Sequence, residues 1–304
     1  MKAEKLTPKK VAMAIGVSES SMKRWCDRGL IDFQTTAGGH RRLSRPSVVD
    51  FVRTSKHSLI RSEMIGLPSG IRPSERDVNS ARQDFLASIV EGNEDLANQI
   101  ILELFLSGQS VAEIGDDVIS PAFQEIGIQW ELGSIEIYRE RRACEITLKI
   151  LAELRQLLPT PDANAPMAIG GAPERDSFSL PTNLVEMVFR EAGWRAQSLG
   201  SQLPFNTLAA AAIENRPRLF WLSVSAISDE EEFLESFERF RSSLPADTFL
   251  TVGGRALQGV TRQKMQYSAF GDNLRQLDSL ANTLKSPAYP PTVPRFGTAA
   301  ITNY

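Results

Sequence analysis

His40, Arg41 and Arg42 stand in a row directly after the paired glycines Gly38 and Gly39. Two glycines permit a tight hairpin turn, and the three side chains that follow are ready ligands for phosphate oxygens. Upstream, Ser21, Lys23 and Arg24 offer further hydrogen-bond donors to a polyanion. A different chemistry comes from Trp130 and Glu140, because an aromatic plate beside a carboxylate can hold a planar, hydrogen-bonding ligand. The more ordinary use of such a pair is Trp130 capping a core and Glu140 standing in solvent. Ser223 and Ser225 have no histidine in their part of the chain, the two histidines being His40 and His57, which argues against nucleophilic hydrolysis. No metal-ligand spacing and no constellation of general acid, base and nucleophile occurs, which argues against an enzyme. Cys26 and Cys144 fall in different expected domains, so a structural disulfide is not expected and a reducing cytoplasm is the natural setting.

The elements that must position these groups can be read from caps and periodicity. Thr7 before Pro8 is an N-cap followed by proline at the first helical position, and Val11, Ala14 and Ile15 then form an apolar stripe. Gly16-Val17 turns into Ser18, which caps a second helix running to Arg28, with Gly29 ending it. The glycine hairpin follows, and a third helix from Pro46 to Arg53 returns Val48, Val49, Phe51 and Val52 to the first two. The pattern is a helix-turn-helix with a basic wing, suited to holding DNA. Charge agrees: the first 62 residues carry 13 Lys and Arg against 5 Asp and Glu, a net +8, whereas the other 242 carry a net −11 within the total of −3.

From 57 to 79 the chain is polar and broken by Gly66, Pro68, Gly70 and Pro73, which reads as a tether. Between 80 and 160, helices are expected over 81–90, 95–106, a pair from 111 to 128 split at Pro121, and 135–158. Ser110 with Glu113 makes a capping box, and the short connections imply an antiparallel four-helix bundle. The reversal at Gly133 brings Trp130 and Glu140 to one end of that bundle. From 166 to 286 short apolar runs alternate with helices, with strands at 167–170, 196–199, 219–224, 249–252 and 268–270. This is the signature of a doubly wound parallel sheet. The segment 287–304, rich in proline and without a periodic face, is expected to be disordered. No apolar stretch reaches a membrane span and no secretory start is seen.

Two resemblances add to this reading. The run Val17 to Ile31, with Met22-Lys23-Arg24-Trp25 at its centre, and the wing Gly38 to Ser44 resemble the MerR family of transcription regulators. Its DNA contacts would then fall on Ser21, Lys23, Arg24, His40, Arg41 and Arg42, with Trp25 and Met22 packing. The α/β part, with Gly193-Trp194-Arg195, Ser198-Leu199-Gly200, Ser223-Val224-Ser225 and Gly253-Gly254, resembles the cobalamin-binding domain of corrinoid methyl-transfer proteins and of CarH/LitR-type light-responsive regulators. The order of the parts is also that of the CarH/LitR group. The resemblance implies adenosylcobalamin as a ligand, with Trp130, Glu140, Ser223, Ser225, Gly253 and Gly254 as its contacts. It implies as well a homo-oligomeric, cytoplasmic repressor on double-stranded operator DNA. A corrinoid carrier or methyl-transfer protein with an accessory DNA-binding head is the alternative. Two departures weigh on the cofactor. The family's lower cobalt ligand comes from a D-x-H-x-x-G loop, and Asp176-Ser177-Phe178-Ser179-Leu180-Pro181 stands there, with Phe178 for the histidine and Pro181 for the glycine. In W-x9-E-H, matched by Trp130 and Glu140, Arg141 replaces the second histidine.

Overall fold

The computed structural model describes residues 5–55, 57–73 and 76–285, so the Pro-rich segment 287–304 lies outside the described residues. The chain divides into two compact units, 1–160 and 161–304.

The first unit opens with helix α1 (Pro8–Ile15), where the Thr7 hydroxyl accepts the Lys10 N–H and Pro8 occupies the first turn. Helix α2 (Glu19–Asp27) starts in the same way, with the Ser18 hydroxyl accepting from the Ser21 N–H at 3.1 Å. A two-residue antiparallel hairpin, β1 (Gln34–Thr35) and β2 (Arg41–Arg42), leads into α3 (Arg45–Ser55). Met22, Val11, Ala14, Leu43, Val48 and Val49 are buried between them. The hairpin is held at its base by paired bonds between Leu6 and Leu43.

Of the segment 57–79, expected to be a tether, residues 59–71 are folded down instead. The amides of Ile60 and Arg61 donate to the Ala14 carbonyl, and Leu59, Ile65, Leu67 and Ile71 are buried. Their spacing follows no helical or strand period because a 3-10 turn at Ser62–Ile65 and loop backbone place them one at a time. His57 belongs to this packing: its ring stacks on Trp25 at 4.8 Å and on Phe51 at 5.4 Å.

The rest of the unit is a helical bundle of α4 (Val78–Glu91), α5 (Glu94–Leu106), α6 (Val111–Ile114), α7 (Ser120–Glu131) and α8 (Ile137–Arg155). The capping box of Ser110 and Glu113 forms. Pro121 does not break the third helix: a π-helical turn, Gly115–Ile119, carries the chain from α6 into α7, and Pro121 sits in the first turn of α7. A widened turn tolerates the missing N–H. Head and bundle are joined by Arg53, whose guanidinium lies 3.7 Å over the Phe105 ring and donates to the Gln109 carbonyl at 3.0 Å.

The second unit is a five-stranded, all-parallel sheet of β3 (Met167–Gly171), β4 (Arg195–Ser198), β5 (Leu219–Ser223), β6 (Phe249–Gly253) and β7 (Ala269–Gly271), in the order β4-β3-β5-β6-β7. Helices α9 (Leu180–Glu191), α10 (Phe205–Asn215), α11 (Glu230–Ser243), α12 (Gly259–Lys264) and α13 (Leu274–Lys285) connect or follow the strands. Every residue of β5 is buried, as a strand covered on both faces requires. Alternation sends Phe220 and Leu222 into one core with Phe205, Phe237 and Phe240. Trp221 goes to the opposite face, where Phe189 stacks on it at 5.9 Å and meets Trp194 edge-on. The direction of winding reverses between β3 and β5. The loops after these two strands therefore flank the crevice where ligands bind in open α/β sheets.

Candidate functional site

The head presents its charged groups in three different states. Lys23 and Arg24 are exposed on α2, with Lys23 carrying only an i,i+4 pair to Glu19 at 2.8 Å. Ser21 is half-buried, its hydroxyl 2.9 Å from that of Ser18, so the N-cap engages it. His40 is exposed at the hairpin tip. Arg41 is tied to Asp27 at 2.6 Å and lies over the Phe33 ring, while Arg42 turns back to the Arg41 carbonyl. Arg41 thus fixes the hairpin against the end of α2.

At the turn between α7 and α8, Gly133 takes φ +69° and reverses the chain. The side chains sit opposite to the ordinary expectation. Trp130 is 50% exposed, and Leu132, Ile137 and Tyr138 around it are exposed too. Glu140 is the sheltered member, its carboxylate 3.4 Å from the Arg141 guanidinium and accepting from the Cys144 thiol at 3.6 Å. Arg141, standing where the resemblance places a histidine, therefore occupies the glutamate. Burial, and then the Glu140 charge, push the Cys144 thiol up to about 12 from 9.0. At pH 8, in a chain carrying Cys26→Ala, Cys144 is expected to react with a thiol reagent about a thousandfold more slowly than in urea, because the thiolate is the nucleophile. A native rate close to the unfolded one would show that neither the burial of the thiol nor its Glu140 contact persists.

In the second unit the crevice is built around Asp176. Its side chain is fully buried; one oxygen accepts from the Phe178 N–H at 3.0 Å, and the other from the Ser225 and Ala226 N–H groups after β5. Burial pushes its carboxyl above the ordinary range, against the downward pull of these three donors. Arg255 donates to the Ser225 carbonyl at 3.1 Å, and its guanidinium lies 4.6 Å from the centre of the Phe178 ring. Ser223 and Ser225 are buried.

Comparison with known proteins places these parts. Residues 81–155 match the B12 binding domain family. HTH-type transcriptional repressor CarH of Myxococcus xanthus is 24% identical over 175 residues, 58% of this chain and 58% of CarH, so the match spans less than two thirds of that relative. HTH-type transcriptional repressor CarA of the same organism is 23% identical over 240 residues, 75% of this chain and 79% of CarA. The chain is similar to CarH and CarA. The structure of Methanosarcina barkeri monomethylamine corrinoid protein superposes with a TM-score of 0.58 at 15% identity, covering 68% of this chain and all of that one, which shows a shared fold.

The fold is therefore that of a corrinoid protein, but the crevice lacks the histidine that would ligate cobalt. Phe178 has no lone pair for cobalt, and His40 and His57 both lie in the first unit. The glycines expected to cradle the ligand are used by the chain itself. A Cβ on Gly253 would fall 2.7 Å from the Gly271 carbonyl oxygen, and one on Gly254, at φ +117°, 2.2 Å from that of Val224. Gly254→Ala is accordingly expected to destabilise the unit by about 2 kcal/mol or more, from strain and overpacking together. Equilibrium unfolding checks this, and a loss below ~0.5 kcal/mol would mean that the loop shifts freely. Asp176, Arg255 and Trp221 were not singled out as site residues from the sequence. The first aspartate of the D-x-H pattern was the one available signal.

Proposed function

We propose that this protein is a DNA-binding transcription regulator, a repressor as its relatives CarH and CarA are named, working in the cytoplasm as a homo-oligomer on double-stranded operator DNA. The observation that carries this is the head. Helix α2 leaves Lys23 and Arg24 exposed, and an adjoining hairpin, anchored by Arg41 to Asp27, carries the exposed His40. A second helix of this kind enters the major groove while a wing reaches the neighbouring backbone. Ser21 is engaged in the cap of α2, and Arg42 bonds to the Arg41 carbonyl within the hairpin. One helix and wing cover too little DNA for a selective site, which favours symmetric pairing of two chains on two half-sites. Among the described residues no helix is long and apolar enough to cross a membrane.

The alternative, a corrinoid carrier with an accessory head, has the fold in its favour but lacks a cobalt donor at Phe178. The test is selection of duplexes from a random-sequence pool by the full chain at low salt, followed by a salt titration on the selected duplex. Enrichment of a two-fold symmetric sequence, with affinity falling linearly on a log–log salt plot, is expected. Failure to retain duplex above the level of a Lys23→Ala, Arg24→Ala chain would overturn the reading.

A further inference from the structure

The crevice between β3 and β5 has a floor as well as a mouth. Gly170, in the middle of β3, needs no glycine for its backbone angle, yet a Cβ there would fall 2.1 Å from the Trp221 carbonyl oxygen and 2.3 Å from Cδ2 of its indole. The missing side chain is room, and Trp221, 2% exposed, takes it with both its carbonyl and its indole. Its Nε1 donates to the Thr182 hydroxyl at 2.9 Å, and that hydroxyl lies 3.1 Å from the Ser198 hydroxyl. Thr251 is the register partner of Trp221 on β6 and shares its face. It buries a hydroxyl with no hydrogen-bond partner. The space around the indole is thus bordered by hydroxyls on two sides, a wall that an apolar core does not need and that a polar guest would use. Above it, Asp176 ties the β3 loop to the β5 loop through the Ser225 and Ala226 amides. The Arg255 guanidinium lies against the Phe178 ring.

We infer that this is a ligand slot closed by the chain's own side chains, with Trp221 filling it over Gly170 and the Arg255–Phe178 pair covering its mouth, so that the unit takes up no corrinoid and needs none to hold its fold. Admitting a guest would require displacing a hydrogen-bonded indole and parting two loops that one buried carboxylate holds together. None of this depends on whether the head binds DNA.

The experiment uses the full chain, mixed in the dark with adenosylcobalamin and, separately, with hydroxocobalamin, then passed over gel filtration and melted with and without the corrinoid. All corrinoid absorbance is expected in the small-molecule fractions, with an unshifted melting temperature, since a ligand that binds only the folded state would raise it. Absorbance travelling with the protein at one corrinoid per chain would overturn the inference. Opening the slot with Trp221→Ala and Phe178→His together is expected to create corrinoid retention. If that chain melts cooperatively and still retains none, closure by these side chains is overturned. Should it fail to fold, Phe178→His with Arg255→Ala alters only the mouth. This chain is expected to retain no corrinoid, because Trp221 still fills the slot, and retention by it would overturn Trp221 as the block. The corrinoid readout is absorbance, so it separates this inference from the DNA-binding reading, which is tested with duplex alone.

Discussion

Trp221→Ala is expected to lower the stability of the α/β unit by about 3–5 kcal/mol, the range for truncating a fully buried large aromatic side chain. That corresponds to a fall of about 10–20 °C in the melting temperature of a unit of this size. Three contributions act in the same direction. The indole leaves a cavity beside Gly170, the stacked contact with Phe189 disappears, and the Thr182 hydroxyl loses its donor. The two units need not unfold together, so the measurement is hydrogen exchange across β3 and β5 as urea is raised. Trp130→Ala provides the contrast. Trp130 is half exposed on the other unit, and its loss is expected to change stability by no more than ~0.5 kcal/mol. Equal effects at the two tryptophans would mean that Trp221 is not packed as described.

The second large effect concerns DNA. Lys23→Ala with Arg24→Ala is expected to weaken duplex binding on the order of 100-fold and to make the log–log salt slope shallower by about 2, one for each lost phosphate or base-edge cation. The ion pair of Lys23 with Glu19 does not stand in the way: both side chains are nearly half exposed, and such pairs exchange readily for a phosphate. Arg41→Ala should act differently, because its guanidinium holds the hairpin to Asp27. Its loss loosens the wing, which lowers affinity mainly through placement, so the slope should change by less than for the double variant. Binding is followed by fluorescence anisotropy on the selected duplex. A slope unchanged by the α2 substitutions would remove that helix from the interface.

Much of this molecule is written locally. Thr7, Ser18 and the Ser110–Glu113 box act within three residues of the groups they cap, so helix starts can be read directly. The βα alternation likewise yields the parallel sheet, because short strands between helices have few other ways to be buried. The folding of 59–71 onto α1 was not legible, since Leu59, Ile65, Leu67 and Ile71 are buried singly and leave no period. Nor was the exchange of roles at the α7–α8 turn, where Glu140 is sheltered by Arg141 and Cys144 while Trp130 faces outward.

By itself the sequence determined the order of the parts, the basic charge of the head, the doubly wound class of the second unit and the absence of a histidine at position 178. These follow from short-range caps, periodicity and residue identity. Only the tertiary structure decided what fills the crevice. Asp176 meets Ser225 across 49 residues and Trp221 meets Thr182 across 39, contacts that exist because β3 and β5 are neighbours in one register at the point where the winding reverses. Neither the registry of two parallel strands nor the face to which an indole turns is contained in the local pattern of a fully buried strand, in which every position is apolar or small.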